Sequence, residues 1–178
     1  MTLESACDDL LSHMEWADAM IWSTVLGSSE ARADLTLQDR LYHIHLTQHA
    51  FLQVWRELAA DLPAPHTLDI VSLARWARTF HIEARADRSW LTADALGRRA
   101  PDTLVSKAEA RLGVGAAWPA MSDTVLQVIL HSTYHRGQVG TRLRELGCEP
   151  PLTEYFVWVW RGKPPADWPA VASGSAPN

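Results

Sequence analysis

Apolar residues recur every three or four positions along most of the chain, the spacing that places them on one face of an α-helix. In residues 3–26 the stripe is Leu3, Cys7, Leu10, Leu11, Met14, Ala17, Ile21 and Val25, and Gly27 with Ser28 and Ser29 supplies a stop. A second helix is predicted from a Thr36 cap, with Asp39 in the capping-box position, through Leu41, Ile44, Phe51, Trp55 and Leu58 to the breakers Pro63 and Pro65. A third runs from Asp69 to about Leu96 through Leu73, Trp76, Phe80, Ala84 and Leu91, and stops at Gly97. Periodicity then fails between Gly97 and Met121, where Pro101, Gly113, Gly115 and Pro119 read as a long crossover connection with room for short extended pieces. Ser122 or Asp123 is expected to cap a fourth helix through Val125, Val128, Ile129, Val139, Leu143 and Leu146 to Gly147, before Pro150 and Pro151. Glu154 to Trp160 predicts one or two further turns over the bundle end. The expected fold is all-α: a four-helix bundle over residues 1–165, with a flexible tail at 166–178.

Composition narrows the function classes. The chain has 178 residues, one domain's worth, and its apolar fraction of 47% suffices for a real core. Sixteen basic against 21 acidic side chains give a net charge of −5, which leaves no basic field for nucleic acid or an anionic membrane. Cys7 and Cys148 are far apart and form no CxxC, which argues against a disulfide scaffold and a cysteine-rich zinc site. The start MTLESACDDLL is acidic where an export signal is basic and then apolar, so a cytoplasmic protein is expected. The apolar run from Leu41 to Trp55 is broken by three histidines and two glutamines, which makes it a soluble helix rather than a membrane span.

The candidate chemistry lies in eight histidines, His13, His43, His45, His49, His66, His81, His131 and His135. His131 and His135 are four apart, so they project from one helix face about 6 Å apart along the axis, where two imidazoles can share an ion. They do not form a zincin motif, because Ser132 stands where the glutamate base of HExxH belongs. A site of catalytic type takes three protein ligands, and the second helix offers His43, His45 and His49. By angle His45 sits nearer than His43 to the stripe through Ile44, Phe51 and Trp55. His13, His66 and His81 read as surface or core-edge residues, His49 as a partly exposed polar group, and Arg136 and Gln138 as hydrogen-bonding groups at helix ends or between helices. Glu15 is a candidate proton acceptor beside the site. Most of the nine tryptophans fall at core spacing, while Trp158 and Trp160 suit a pocket rim or subunit contact.

HSTYHRGQVGTRLRELGCEPP, from His131 to Pro151, resembles the signature helix of the DinB/YfiT-like family of bacterial metal-binding four-helix bundles. EWAD, Glu15 to Asp18, is similar to that family's WAN element, and HIHLTQHAFL, His43 to Leu52, to its HI-x6-WL element. The resemblance implies a metal site of His43, His131 and His135, choosing His43 where spacing favours His45. It implies a divalent ion such as zinc or nickel with open coordination positions, inside the bundle, and a homodimer. It also implies either a metal-dependent transferase or isomerase that uses a low-molecular-weight thiol on small molecules, or a non-catalytic metal-binding stress-response protein. Metal-dependent hydrolysis is a further alternative.

Overall fold

A computed structural model describes residues 2–59, 61–86, 89–113, 115 and 117–173. Four long helices, α1 (Leu3–Gly27), α3 (Leu35–Trp55), α4 (Ile70–Ala86) and α7 (Met121–Glu145), dominate them. Each packs against two of the others: α1 and α3 both lie between α4 and α7. Four shorter helices complete the set, α2 (Ser29–Ala33), α5 (Ala93–Gly97), α6 (Asp102–Leu112) and α8 (Tyr155–Trp160), with a 3-10 turn at Ala170–Ser173. The expected all-α class is correct. No described helix is long and apolar enough to cross a membrane.

The predicted stripes are the ones that meet. One half of the core joins Ile21, Trp22 and Val25 of α1 to Leu37, Leu41 and Ile44 of α3, Leu73 and Ala77 of α4, and Val139 and Leu143 of α7. The other joins Cys7, Leu11 and Met14 to Leu52, Trp55, Phe80, Val125, Val128 and Ile129. The order of residues through these two halves fixes direction: α1 and α7 run one way, α3 and α4 the other. The chain must therefore travel back along the bundle between α3 and α4. The contacts Tyr42 Oη–Pro63 O, 2.7 Å, and His66–Asp39, 3.4 Å, lay that return segment along α3.

Local chemistry corrects several boundaries. Asp34, not Thr36, caps α3: its carboxylate accepts the Leu37 N–H at 2.7 Å and also pairs with Arg142 at 2.6 Å. Ala120 is the cap position of α7, and Asp123 reaches back to accept its N–H at 2.8 Å, which places Asp123 inside the helix. The third predicted helix stops at Ala86, with a separate α5 capped by Thr92, and residues 87–88 lie outside the described ones. The long connection before α7 is present, but it begins and ends at the same end of the bundle and contains α6, whose Gly113 closes it with φ +69. Among the described residues, a single bridge, Arg99 to Ala120, is its extended piece.

Of the segment expected as a tail, Trp168 and Ala172 pack into the core, and Arg75 and Arg78 donate to the carbonyls of Val171 and Ala172. Residues 174–178 lie outside the described ones. Cys7 and Cys148 are both free, in accord with the expectation.

Candidate metal centre

His43 on α3 faces His131 and His135 on α7, and one ring nitrogen from each lies within 4.8 Å of the other two. The Nε2 atoms of His43 and His131 are 3.1 Å apart. Two nitrogens bound to one ion at about 2.0–2.1 Å stand roughly 2.8–3.4 Å apart for bond angles between 90° and 109°. The spacing suits a shared ion. His131 and His135 reach α3 because α7 carries them one turn apart on the flank beside its core stripe of Val128, Ser132 and Val139.

The ring orientation of His135 is set by Gln138, one turn further on. Its Oε1 lies 2.8 Å from His135 Nδ1, so Nδ1 carries the proton and Nε2 keeps its lone pair. His131 Nδ1 is buried with no hydrogen-bond partner, which leaves Nε2 as the working atom of that ring. Burial, followed by His135 and His43, lowers the His131 pKa to about 4. Burial first, then His135 and Arg111, lowers that of His43. Neutral imidazoles offer lone pairs, which is the state that metal coordination requires. Among the described residues no carboxylate or thiol joins the three.

The cluster is not inside the bundle as expected. His43 is exposed and the other two are half-buried, so the cluster sits at the edge of the α3/α7 groove and has an open side.

His45, the neighbour that spacing favoured, is fully committed elsewhere. Its Nε2 accepts from Trp22 Nε1 at 3.0 Å, its Nδ1 donates to Gln48 Oε1 at 2.8 Å, and its ring stacks on Trp22. Neither nitrogen is left for an ion. Burial lowers its pKa to about 4. Gln48 passes the chain on, its Nε2 lying 2.8 Å from Asp18 Oδ2 and 3.2 Å from Ser132 Oγ.

Asp18 is the centre of this buried network. Arg136 pairs with its Oδ1 at 2.9 Å and His81 approaches its Oδ2 at 3.0 Å. Burial opposes its charge, but Arg136 and His81 overcome that and hold the carboxyl well below the usual carboxylate range. The network links all four long helices next to the signature histidines. Arg136 thus does make the inter-helix bonds expected of it, but the sequence reading missed the functional weight of Asp18, Gln48 and His81. The available signal was polar residues at core phase, since Asp18 falls between Met14 and Ile21 on the apolar stripe of α1.

Other expectations need correction. His13 and His81 are buried, not peripheral: His13 Nε2 donates to Thr153 O at 2.9 Å. His49 is buried as well; it donates to Trp76 O at 2.8 Å and lies flat on that indole, 4.4 Å away. His66 is exposed as expected. Glu15 pairs with Arg85 and Trp168 on the α1/α4 side, so it is not a proton acceptor at the histidine cluster. Trp158 does line a cavity there, of about 430 Å³, while Trp160 is exposed.

A family model described as DinB family matches residues 120–163. That segment carries α7 and α8, with His131, His135, Arg136 and Gln138, and supports a DinB-like assignment; His43 lies outside it. No curated protein and no solved structure matches the chain.

Proposed function

We propose that this DinB-like chain is a metal-dependent enzyme that transfers or isomerises small molecules with the help of a low-molecular-weight thiol. His43, His131 and His135 hold a divalent ion, zinc or nickel. The observation that carries the reading is the convergence of three imidazoles on one point at a solvent-accessible edge. An ion with only neutral ligands keeps its double charge and ionises a thiol at neutral pH.

The chain's own groups have defined parts in this reading. The three histidines supply lone pairs, and Gln138 fixes the ring of His135. No carboxylate stands at the cluster among the described residues, so the reading assigns no protein general base.

A purely bracing role for the ion is disfavoured, because the Asp18 network already ties the four helices together without one. Protein reloaded with zinc or nickel should turn over chlorodinitrobenzene with a cellular thiol and lose that turnover on chelation, with a small change in Tm. No turnover with any thiol, together with a large Tm drop on chelation, would instead favour a non-catalytic stress-response protein.

With it go a single bundle, extended past residue 165 by the packed segment that holds Trp168 and Ala172, a cytoplasmic setting and a homodimer. The dimer is supported by the exposed stripe of Leu126, Leu130 and Tyr134 on α7 and is tested by sedimentation equilibrium.

A further inference from the structure

Helix α6 roofs part of the α3/α7 groove. Beneath it lies a cavity of about 440 Å³ walled mainly by Phe51, Leu104, Val105, Ala108 and Leu112, with Thr124 and Gln127 on the α7 side. The space is large enough for a small organic ligand. Its position relative to the histidine cluster follows from helix geometry. Gln127 precedes His131 by one turn of α7, about 6 Å, and Phe51 follows His43 by two turns of α3, about 12 Å in the same direction. The cavity and the cluster therefore occupy successive stretches of one groove.

The lining also sorts ligands by polarity. Among the described residues the cavity wall carries no cationic side chain that would pair with an anionic body, and the Asp123 carboxylate on it already accepts the Ala120 N–H at 2.8 Å. An uncharged alkyl or aryl group meets an apolar surface there. The larger cavity on the other side of α6 contains Glu57, Arg99 and Lys107 and is more polar. The cavity beside Trp158 has Arg85 and Lys163 already paired with Glu15 and Asp9.

We propose that the cavity under α6 binds the non-reacting body of the substrate, an uncharged alkyl or aryl group, while the reactive end lies at His43, His131 and His135. The proposal rests on the metal-centre reading above, and α6 becomes the specificity-determining element.

Two probes separate the two claims. In cobalt-loaded protein, the visible spectrum reports hydroxamate binding to the ion across a series from acetohydroxamate to octanohydroxamate. Affinity should rise about three- to fourfold per methylene once the chain passes the first few carbons. Ala108→Trp, which fills the cavity from α6, should abolish that rise and leave acetohydroxamate binding in place. Gln127→Trp fills it from an exposed position on α7 and should do the same, so the test survives a failure of the first variant to fold.

The neutral dye N-phenyl-1-naphthylamine reads the cavity without the ion: it should bind wild type and His131→Ala alike, and at least tenfold more weakly when either tryptophan is present. Acetohydroxamate binding with no chain-length dependence, or dye binding that ignores both tryptophans, overturns the cavity proposal alone. Lack of any spectral response to acetohydroxamate overturns the metal-centre reading, and with it the placement of the reactive end, while the dye still reports whether the cavity is a binding site.

Discussion

Asp18 of α1 and Arg136 of α7 form an ion pair 2.9 Å long in which neither side chain is more than 3% exposed. Such a pair is costly to desolvate, and removing one partner strands the other. Asp18→Ala would leave Arg136, His81 and Gln48 each short of a partner. It should lower the unfolding free energy by about 3–5 kcal/mol. Urea denaturation at pH 7 measures this, and a loss below about 1 kcal/mol would show that the pair is not the tie inferred here.

The two neighbouring histidines of α3 should separate cleanly. His43→Ala removes an exposed ring and should abolish tight metal binding with little change in stability, within about 0.5 kcal/mol. His45→Ala should keep the metal and lose about 2–4 kcal/mol, because it opens a cavity and strands Trp22 Nε1 and Gln48. Isothermal titration with zinc and urea denaturation on both variants check the pair; the opposite pattern would return the ligand role to His45.

Gln138→Leu should weaken metal affinity roughly 10- to 100-fold by releasing the Nδ1 proton of His135 from its acceptor. Competition against a chromophoric chelator measures it. An unchanged Kd would mean that Gln138 does not set the ring.

The metal-free protein should lose stability as pH falls, in two windows. Burial holds His45 and His49 down to about 4 from an ordinary 6.5. Between those values the unfolded chain binds more protons than the folded one, so stability declines as pH drops through the window. The effect is on the order of 2–3 kcal/mol for each ring. His49→Gln should remove one such contribution and flatten the slope between pH 6.5 and 4. Below about pH 4 the loss of the Asp18 charge takes over, because a depressed carboxyl stabilises the fold only while it is ionised. A stability profile flat from pH 7 to 4.5 would contradict the burial of these rings.

Much of this was legible from the residues. The long helices announce themselves because their apolar stripes repeat over five to seven turns, and the signature on α7 carries His131 and His135 one turn apart. Helix α6 was not legible, since Val105 is its only buried residue and glycines follow it. The caps slipped by two or three residues because Asp34 and Thr36, or Ala120 and Asp123, are close in the chain and only geometry decides where the helix begins. The choice between His43 and His45 misled spacing for a physical reason. A ring at core phase is engaged by Trp22 and Gln48, whereas a ligand must keep a free nitrogen at the groove edge.

The central claim is that one divalent ion sits between α3 and α7 on three imidazoles. X-ray absorption of zinc-loaded protein at one equivalent tests it most directly. The account predicts one ion per chain, with three histidine nitrogens at about 2.0–2.1 Å and water or another exogenous ligand completing the shell, and an imidazole count that falls in His43→Ala. A spectrum with no imidazole scattering, or one identical in wild type and His43→Ala, would contradict it.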